Sequence, residues 1–266
     1  MKVHLERSDI FKVAAILGVL GLALLQENRR PLRKKLPPQE SRKRIQTSAA
    51  FAVLAGATLR GFPWPHKSAA FAERCKLGLL NNAILPHKLR LILSFLLLDY
   101  QLYLSHRWSH EVPIIWRLHK THHSDLELDT LTSLRFHSFD LMLSNLFQAF
   151  WVLVWGISPK HLSVFEVLSI HFAQLHHANV QLGKSIEESL QKVFITPHLH
   201  TIHHSILASE RNSNYGIVFS LWDRLHGTFE SKPVESVQVG LTKVKRPERA
   251  RFLPALLLPF TSGFEE

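Results

Sequence analysis

The residues best equipped for chemistry in this sequence are its histidines. Eighteen occur in 266 residues, and fourteen of them lie between His106 and His204. They form four clusters. The first is His106 with His110, the second His119 with His122 and His123, the third the pair His176-His177, and the fourth His200 with His203 and His204, two residues after His198. On a helix, residues three and four apart share a face. HxxxH therefore offers two imidazoles to one point, and HxxHH, which occurs twice, offers two or three. With one residue taken from the His176-His177 pair, the clusters supply nine imidazoles. One transition metal takes about four to six ligands, so nine suit two ions with open positions. Imidazole serves iron, zinc, copper and nickel alike, which leaves the metal unnamed.

Two carboxylates accompany the clusters. Asp99 stands in an apolar helical run, where a charge is costly and is usually functional. It shares a stripe with Tyr103, His106 and His110. Seven residues rise roughly 10.5 Å along a helix, too far for Asp99 to reach its own helix's His106. The expectation is a buried Asp99 hydrogen-bonded to a box histidine from another helix, fixing that ring's tautomer; the alternative is a water-facing carboxylate. Glu111, directly after His110, is read as an outer hydrogen-bond partner or a bridging ligand, against a solvated side chain. His4, His66, His87 and His161 fall in loops or termini and are read as bystanders, as is His171, six residues before His177. His137, His176 and His198 stay open between ligand and bystander.

The elements that must position these side chains are apolar. Residues AVILMFWYC make up 46% of the chain and charged residues 20%, which excludes disorder for the bulk of it. A single cysteine, Cys75, excludes an internal disulfide, a cysteine-rich zinc site and a cysteine-ligated iron–sulfur cluster within one chain. No GxGxxG or GxxxxGK[ST] is present. Five apolar runs recur: Ile10–Leu25, Thr47–Leu59, Leu89–Leu104, Phe139–Trp155 and Leu162–Leu175, the last two separated by Gly156-Ile157-Ser158-Pro159. A full membrane span needs about 20 residues, and several runs are shorter, so buried helices of a soluble protein are the alternative. Their recurrence, with Trp64, Trp151 and Trp155 near their ends, favours the membrane. Ser68–Leu85 is too polar to span, and Phe252–Phe260 too short.

The net charge is +11, with eight basic residues between Arg29 and Arg44 directly after the first apolar run. That placement reads as a cytoplasmic loop behind an uncleaved membrane anchor, not as a nucleic-acid surface. Met1–Asp9 carries no net charge and would lie outside. Passing Thr47–Leu59 outward, Leu89–Leu104 inward and Phe139–Leu175 as a hairpin puts every histidine cluster on the cytoplasmic face. The expected architecture is all-α: a multi-pass membrane helical bundle with a cytoplasmic histidine-rich cap. Its divisions are an anchor region at 1–98, a catalytic domain at 99–230 and a C-terminal tail at 231–266.

From Asp99 to Phe229 the sequence resembles the fatty acid hydroxylase/sterol desaturase superfamily of integral-membrane di-iron enzymes. The resemblance is carried by Asp99-Tyr100, His106 to His110, Trp116 to Ser124 and Arg135-Phe136-His137. It continues through His177-Ala178-Asn179-Val180, Thr196-Pro197, His200 to Ser205, Asn214-Tyr215-Gly216, Leu221 to Leu225 and Gly227-Thr228. It implies that His106, His110, His119, His122, His123, His177, His200, His203 and His204 bind two iron ions, and it selects His177 over His176. Glu111 follows the first box as it does in the alkylglycerol monooxygenase branch, a likeness that admits a pterin-dependent reaction. Two departures stand out. Ser138 and Asp140 replace a common Pro and Glu after His137, and His226 replaces the usual Phe before Gly227-Thr228.

The implied activity is dioxygen-dependent hydroxylation or desaturation of a lipid C–H bond, in a bacterial inner membrane or, in a eukaryote, the endoplasmic reticulum. With no flavin or nicotinamide motif, electrons would come from an external donor such as a ferredoxin or a cytochrome b5-like protein, docked on the basic surface. Two rival classes remain. A metal transporter or store would spread its ligands across the bilayer, and a zinc hydrolase would favour HExxH, which is absent.

Overall fold

The structure is a computed structural model that describes residues 7–235, 237–244 and 246–261. Lys2, His4, Glu6 and the end of the C-terminal tail fall outside the described residues. Each apolar run lies within a long helix. These are α1 (Arg7–Arg29) and α2 (Pro38–Gly61); then, after the short α3 (Trp64–Cys75) and α4 (Leu79–Asn82), α5 (His87–Glu111); and, after α6 (Pro113–His123), α7 (Ser138–Trp155) and α8 (Pro159–His177). The smaller α9 (Lys184–Leu190), α10 (Pro197–His203), α11 (Ala208–Arg211), α12 (Leu221–His226) and α13 (Phe252–Leu257) follow. The all-α expectation holds. Among the described residues there is no sheet, only isolated bridges pairing Phe194 with Phe219 and Ser205 with Val239.

Proline sets where several helices begin. Pro38, Pro113, Pro159 and Pro197 each occupy the first helical position, where the missing N–H goes unmissed and the fixed φ suits the helix. At α10 the Thr196 hydroxyl also accepts the Leu199 N–H. Three of the histidine clusters ride on helices started in this way, α6, α8 and α10, and on the short α6 and α10 the phase is fixed close to the ligands. Between α7 and α8 the chain turns through Gly156, which adopts φ +68. A Cβ at Gly156 would fall 2.5 Å from the Leu77 carbonyl, and one at Gly78 2.1 Å from the Gly156 nitrogen. The α3–α4 and α7–α8 turns thus abut at two glycines.

Around α7 pack α3, α5 and α2, and α8 lies against α1 and α5. Ala69, Leu80, Leu98, Val152, Trp155, Ile157, Leu162 and Phe165 form the buried core between them. Outward faces stay apolar, with Val53 on α2, Ile92 on α5, Leu146 and Phe150 on α7 and Leu168 on α8 all exposed. Among the described residues one helix, α7, is long and apolar enough to cross a membrane by length and composition. The Ser68–Leu85 region forms only the short α3 and α4. Residues 252–260 lie over α6, where Thr121 donates to the Ala255 carbonyl and Arg117 to that of Pro259.

The basic stretch after α1 is not all solvated. Arg33 turns inward to the Leu128 carbonyl at 2.6 Å and to Thr201. Glu27, buried, accepts the N–H groups of Thr130 and Asn179 at 2.8 and 3.0 Å. Arg44 is the centre of a dry ion network, contacting both Asp125 oxygens at 2.7 and 2.8 Å and both Asp129 oxygens at 2.6 and 2.7 Å. Buried Arg135 adds a second cation 3.2 Å from Asp125. Burial alone would raise the Asp125 pKa, but the Arg135 and Arg44 guanidiniums outweigh it and hold the carboxyl below its ordinary value.

Removing one partner of such a network strands the others. Arg44→Leu is expected to lower stability by about 3–5 kcal/mol, whereas exposed Arg42→Leu should stay within about 0.5 kcal/mol; thermal unfolding in detergent compares them. Because the Asp125 pKa is depressed from an unfolded value of about 3.9, the network's contribution is present above that pH and is lost as pH falls through the folded value. The gap between wild type and Arg44→Leu should therefore close on acidification.

Candidate metal centre

The four histidine clusters come together from the end of α5, the end of α6, the end of α8 and α10. Ring nitrogens of His106, His110, His119 and His123 all lie within 4.8 Å of one another, as do those of His122, His177, His200 and His204. His203 joins His123 and His204 in a third, overlapping group, and its ring centroid lies 4.5 Å from that of His106 and 4.6 Å from that of His110. All nine expected histidines thus reach one buried region. His122 and His123 divide between the two groups of four, because successive residues on a helix point about 100° apart.

The rings are oriented by their far nitrogens. The Nδ1–H of His106 donates to the Tyr215 carbonyl at 2.7 Å, that of His203 to Ser213 at 2.7 Å, that of His177 to Ala173 at 2.7 Å and that of His122 to Arg135 at 3.3 Å. His119 Nδ1 donates to Asp140 Oδ2 at 3.0 Å. Each bond fixes a neutral tautomer whose lone pair sits on Nε2. Those lone pairs face one another: His122 Nε2 lies 3.1 Å from His177 Nε2, which lies 3.0 Å from His200 Nε2. With both protons committed to Nδ1, no hydrogen stands between His122 and His177. Burial, reinforced by the neighbouring rings, pushes the pKa values of His122, His123, His200, His203 and His204 well below the ordinary value. Both His110 nitrogens, both His123 nitrogens and the Nε2 atoms of His119 and His203 are buried without a hydrogen-bond partner. Neutral, dry and convergent lone pairs fit a pair of transition-metal cations.

Three of the carbonyls that receive Nδ1 protons belong to one loop. Ser213 and Tyr215 serve His203 and His106, and Ile217 serves His176 at 3.1 Å. The loop's N–H groups point the other way. Those of Tyr215 and Gly216 go to Asp223 at 2.8 and 2.9 Å. Those of Val218 and Phe219 go to Asp99 at 3.1 and 3.2 Å, and Trp222 Nε1 adds a third donor to Asp99 at 2.8 Å. A Cβ on Gly216 would fall 2.6 Å from the Phe219 carbonyl and 2.9 Å from Asp223 Oδ2, so only glycine lets the loop close down on its carboxylate.

The expectation for Asp99 is therefore half corrected. It is buried, but it holds backbone N–H groups and an indole, and no histidine. It acts on the rings through the loop. Glu111 is corrected outright as a metal neighbour. Its exposed carboxylate pairs with Arg107 at 2.8 Å on its own helix face, and it joins neither histidine group. The carboxylate that does hold a ring is Asp140, visible in the sequence only as a departure from the family pattern. Among the open histidines, His137 caps α7 by accepting the Phe139 N–H, His198 donates to the Lys232 carbonyl and His171 to Val167 on its own helix. His176 lies 4.0 Å from His200, ring centroid to ring centroid and tilted by 41°, outside the groups of four.

Two substitutions separate these carboxylates. Asp140→Asn keeps the shape but removes the charge beside His119 and should weaken metal retention by about 10- to 100-fold, read as metal per chain after competition with a chelator. Asp99→Asn brings an amide donor to face three donors and should cost about 1–3 kcal/mol of stability in thermal unfolding, with the metal loss following from the loosened loop.

Residues 91–228 match the fatty acid hydroxylase family. Among curated proteins, the chain is 34% identical over 179 residues to an ornithine lipid hydroxylase of Rhizobium tropici, covering 66% of this chain and 52% of that one. It is 32% identical over 151 residues to alkylglycerol monooxygenase of Homo sapiens, covering 56% and 32%. It is 29% identical over 158 residues to Delta(7)-sterol 5(6)-desaturase of Eremothecium gossypii, covering 59% and 42%. The chain thus spans about half or less of the length of these relatives. No solved structure matches it. A family match over more than half of the chain, carried by the residues that build the two histidine groups, makes this protein a member of the fatty acid hydroxylase family.

Proposed function

We infer that the protein is a membrane enzyme that uses dioxygen at a two-iron centre to hydroxylate or desaturate a C–H bond of a lipid. The observation that carries the reading is the pair of four-histidine groups, whose buried nitrogens lie within 4.8 Å of one another. His106, His110, His119 and His123 would hold one iron, His122, His177, His200 and His204 the other, with His203 between them. When bound, the iron pair would supply the oxidising power that no side chain has. The chain's own part is to keep every ligand neutral, to aim the lone pairs through Tyr215, Ser213, Arg135, Ala173 and Asp140, and to exclude water. The three relatives bear the names of a lipid hydroxylase, an alkylglycerol monooxygenase and a sterol desaturase, which supports a lipid as substrate.

The apolar outward faces of α2, α5, α7 and α8 support a multi-pass membrane protein. The basic residues between Arg29 and Arg44 support a cytoplasmic side for the histidine centre, in a bacterial inner membrane. In that arrangement 1–98 serves as anchor, 99–230 as the catalytic unit and 231–266 as a tail, and electrons arrive from a ferredoxin or a cytochrome b5-like protein. Transport is the weaker reading because the ligands gather at one place and do not line a path.

Purified in detergent, the protein should carry about two irons per chain, by comparison with other two-iron helical proteins, and should take up dioxygen after anaerobic reduction. His110→Ala and His200→Ala should each lose iron, one from each group. Lipid mass spectrometry of a host with and without the gene should show a gain of one oxygen or a loss of two hydrogens. Retained zinc with no dioxygen uptake would replace this reading with a hydrolytic one.

A further inference from the structure

The chain contains three tyrosines, Tyr100, Tyr103 and Tyr215, and all three stand in one column that runs away from the histidine centre. Tyr215 packs its ring 5.3 Å from His110, 5.8 Å from His203 and 6.0 Å from His106, centroid to centroid. Tyr103 lies 6.3 Å beyond Tyr215, and Tyr100 a further 6.3 Å on, with its ring 7° from parallel to that of Tyr103. At the outer end, Tyr100 meets His226, whose ring stacks 5.1 Å from Tyr103. The Tyr100 hydroxyl lies 3.1 Å from His226 Nε2. Tyr215 and Tyr103 are buried, whereas Tyr100, His226 and Trp222 are partly exposed.

A phenol releases an electron readily only if its proton has somewhere to go. Tyr100 has an imidazole nitrogen in hydrogen-bond range, half open to solvent. Tyr103 is less suited to keep the vacancy, because its hydroxyl meets the Thr228 hydroxyl at 3.0 Å, which itself donates to Asp223, and meets no base directly. Tyr215, whose hydroxyl is buried without a partner, is less suited still. The column therefore runs from a poor resting place for an electron vacancy to a good one.

We propose that Tyr100, Tyr103 and Tyr215 form an electron relay between the histidine centre and the protein surface, with Tyr100 and His226 as its outer redox pair. The proposal rests on the two-iron reading. With an oxidised iron pair held by the histidines and no lipid C–H bond in place, Tyr100 would give up one electron by way of Tyr103 and Tyr215, and the iron pair would be reduced by one. The Tyr100 hydroxyl proton passes to His226 Nε2, leaving a neutral phenoxyl beside an imidazolium. A one-electron reductant at the surface returns the electron, and His226 returns the proton. The relay drains oxidising power that would otherwise destroy the ligand rings.

The test has two arms, both on the full chain in detergent. In the first, the zinc-loaded protein is oxidised from outside with photoexcited tris(bipyridine)ruthenium and persulfate, and radicals are read by electron paramagnetic resonance. A tyrosyl signal is expected that is lost in Tyr100→Phe and whose hydrogen-bond signature is lost in His226→Phe. An unchanged signal in Tyr100→Phe overturns the proposal. In the second, reduced iron-loaded protein meets dioxygen without lipid. The same radical is expected in the wild type, with loss in Tyr103→Phe. Dioxygen uptake with no tyrosyl radical overturns the relay and leaves the enzymatic reading standing. Failure to bind iron or take up dioxygen overturns the enzymatic reading, and the first arm then still decides the Tyr100–His226 pair.

Discussion

Neutral imidazoles that face one another in a dry interior are the constraint on which this structure turns. A lone pair 3 Å from another lone pair is repulsive unless a cation lies between them, and each ring can present its Nε2 lone pair only if its Nδ1 proton is taken elsewhere. Every other feature of the centre answers that second requirement. Backbone carbonyls take four of these protons, and three of the four come from stretches that helices alone could not place: Ser213 and Tyr215 on one loop, and Arg135 at the end of another. The loop is turned carbonyl-inward because Asp99 and Asp223 draw its N–H groups outward. The layers are thus carboxylate, amide, carbonyl and imidazole, with each layer fixing the polarity of the next.

That layering explains what could be read from the sequence and what could not. Eight of the nine histidines were legible because their spacing is local: three- and four-residue steps put rings on one helix face whatever the rest of the chain does, whereas His177 was told from His176 only by the resemblance. The five long helices were legible for the same reason, from unbroken apolar runs. The partners of Asp99 were not, because they lie about 120 residues away and two of the three are backbone N–H groups, which no side-chain pattern announces. Glu111 misled because its position beside His110 in sequence is a different direction in space, toward Arg107 one turn back.

The charged run between Arg29 and Arg44 shows the same limit from the other side. As composition it is a solvated loop. In the fold, Arg44 sinks between Asp125 and Asp129, more than eighty residues on, and Arg33 reaches Thr201. Burial of a cation is decided by where its counter-charges fold, and those lie between the second histidine cluster and His137, a stretch whose three acids looked unremarkable when read alone.

The inward turn of Glu27 and Arg33 also bears on the order in which the chain can assemble. Their partners include Thr130, Asn179 and Thr201, so the end of α1 and the stretch just after it cannot complete their contacts until about 170 further residues have been made. Contacts of such long sequence separation form late, because the loop between them must be closed first. The end of α1 is thus tied down by residues made after the histidine-bearing α5 and α6, and the last partner of this stretch, Thr201, lies within the fourth histidine cluster.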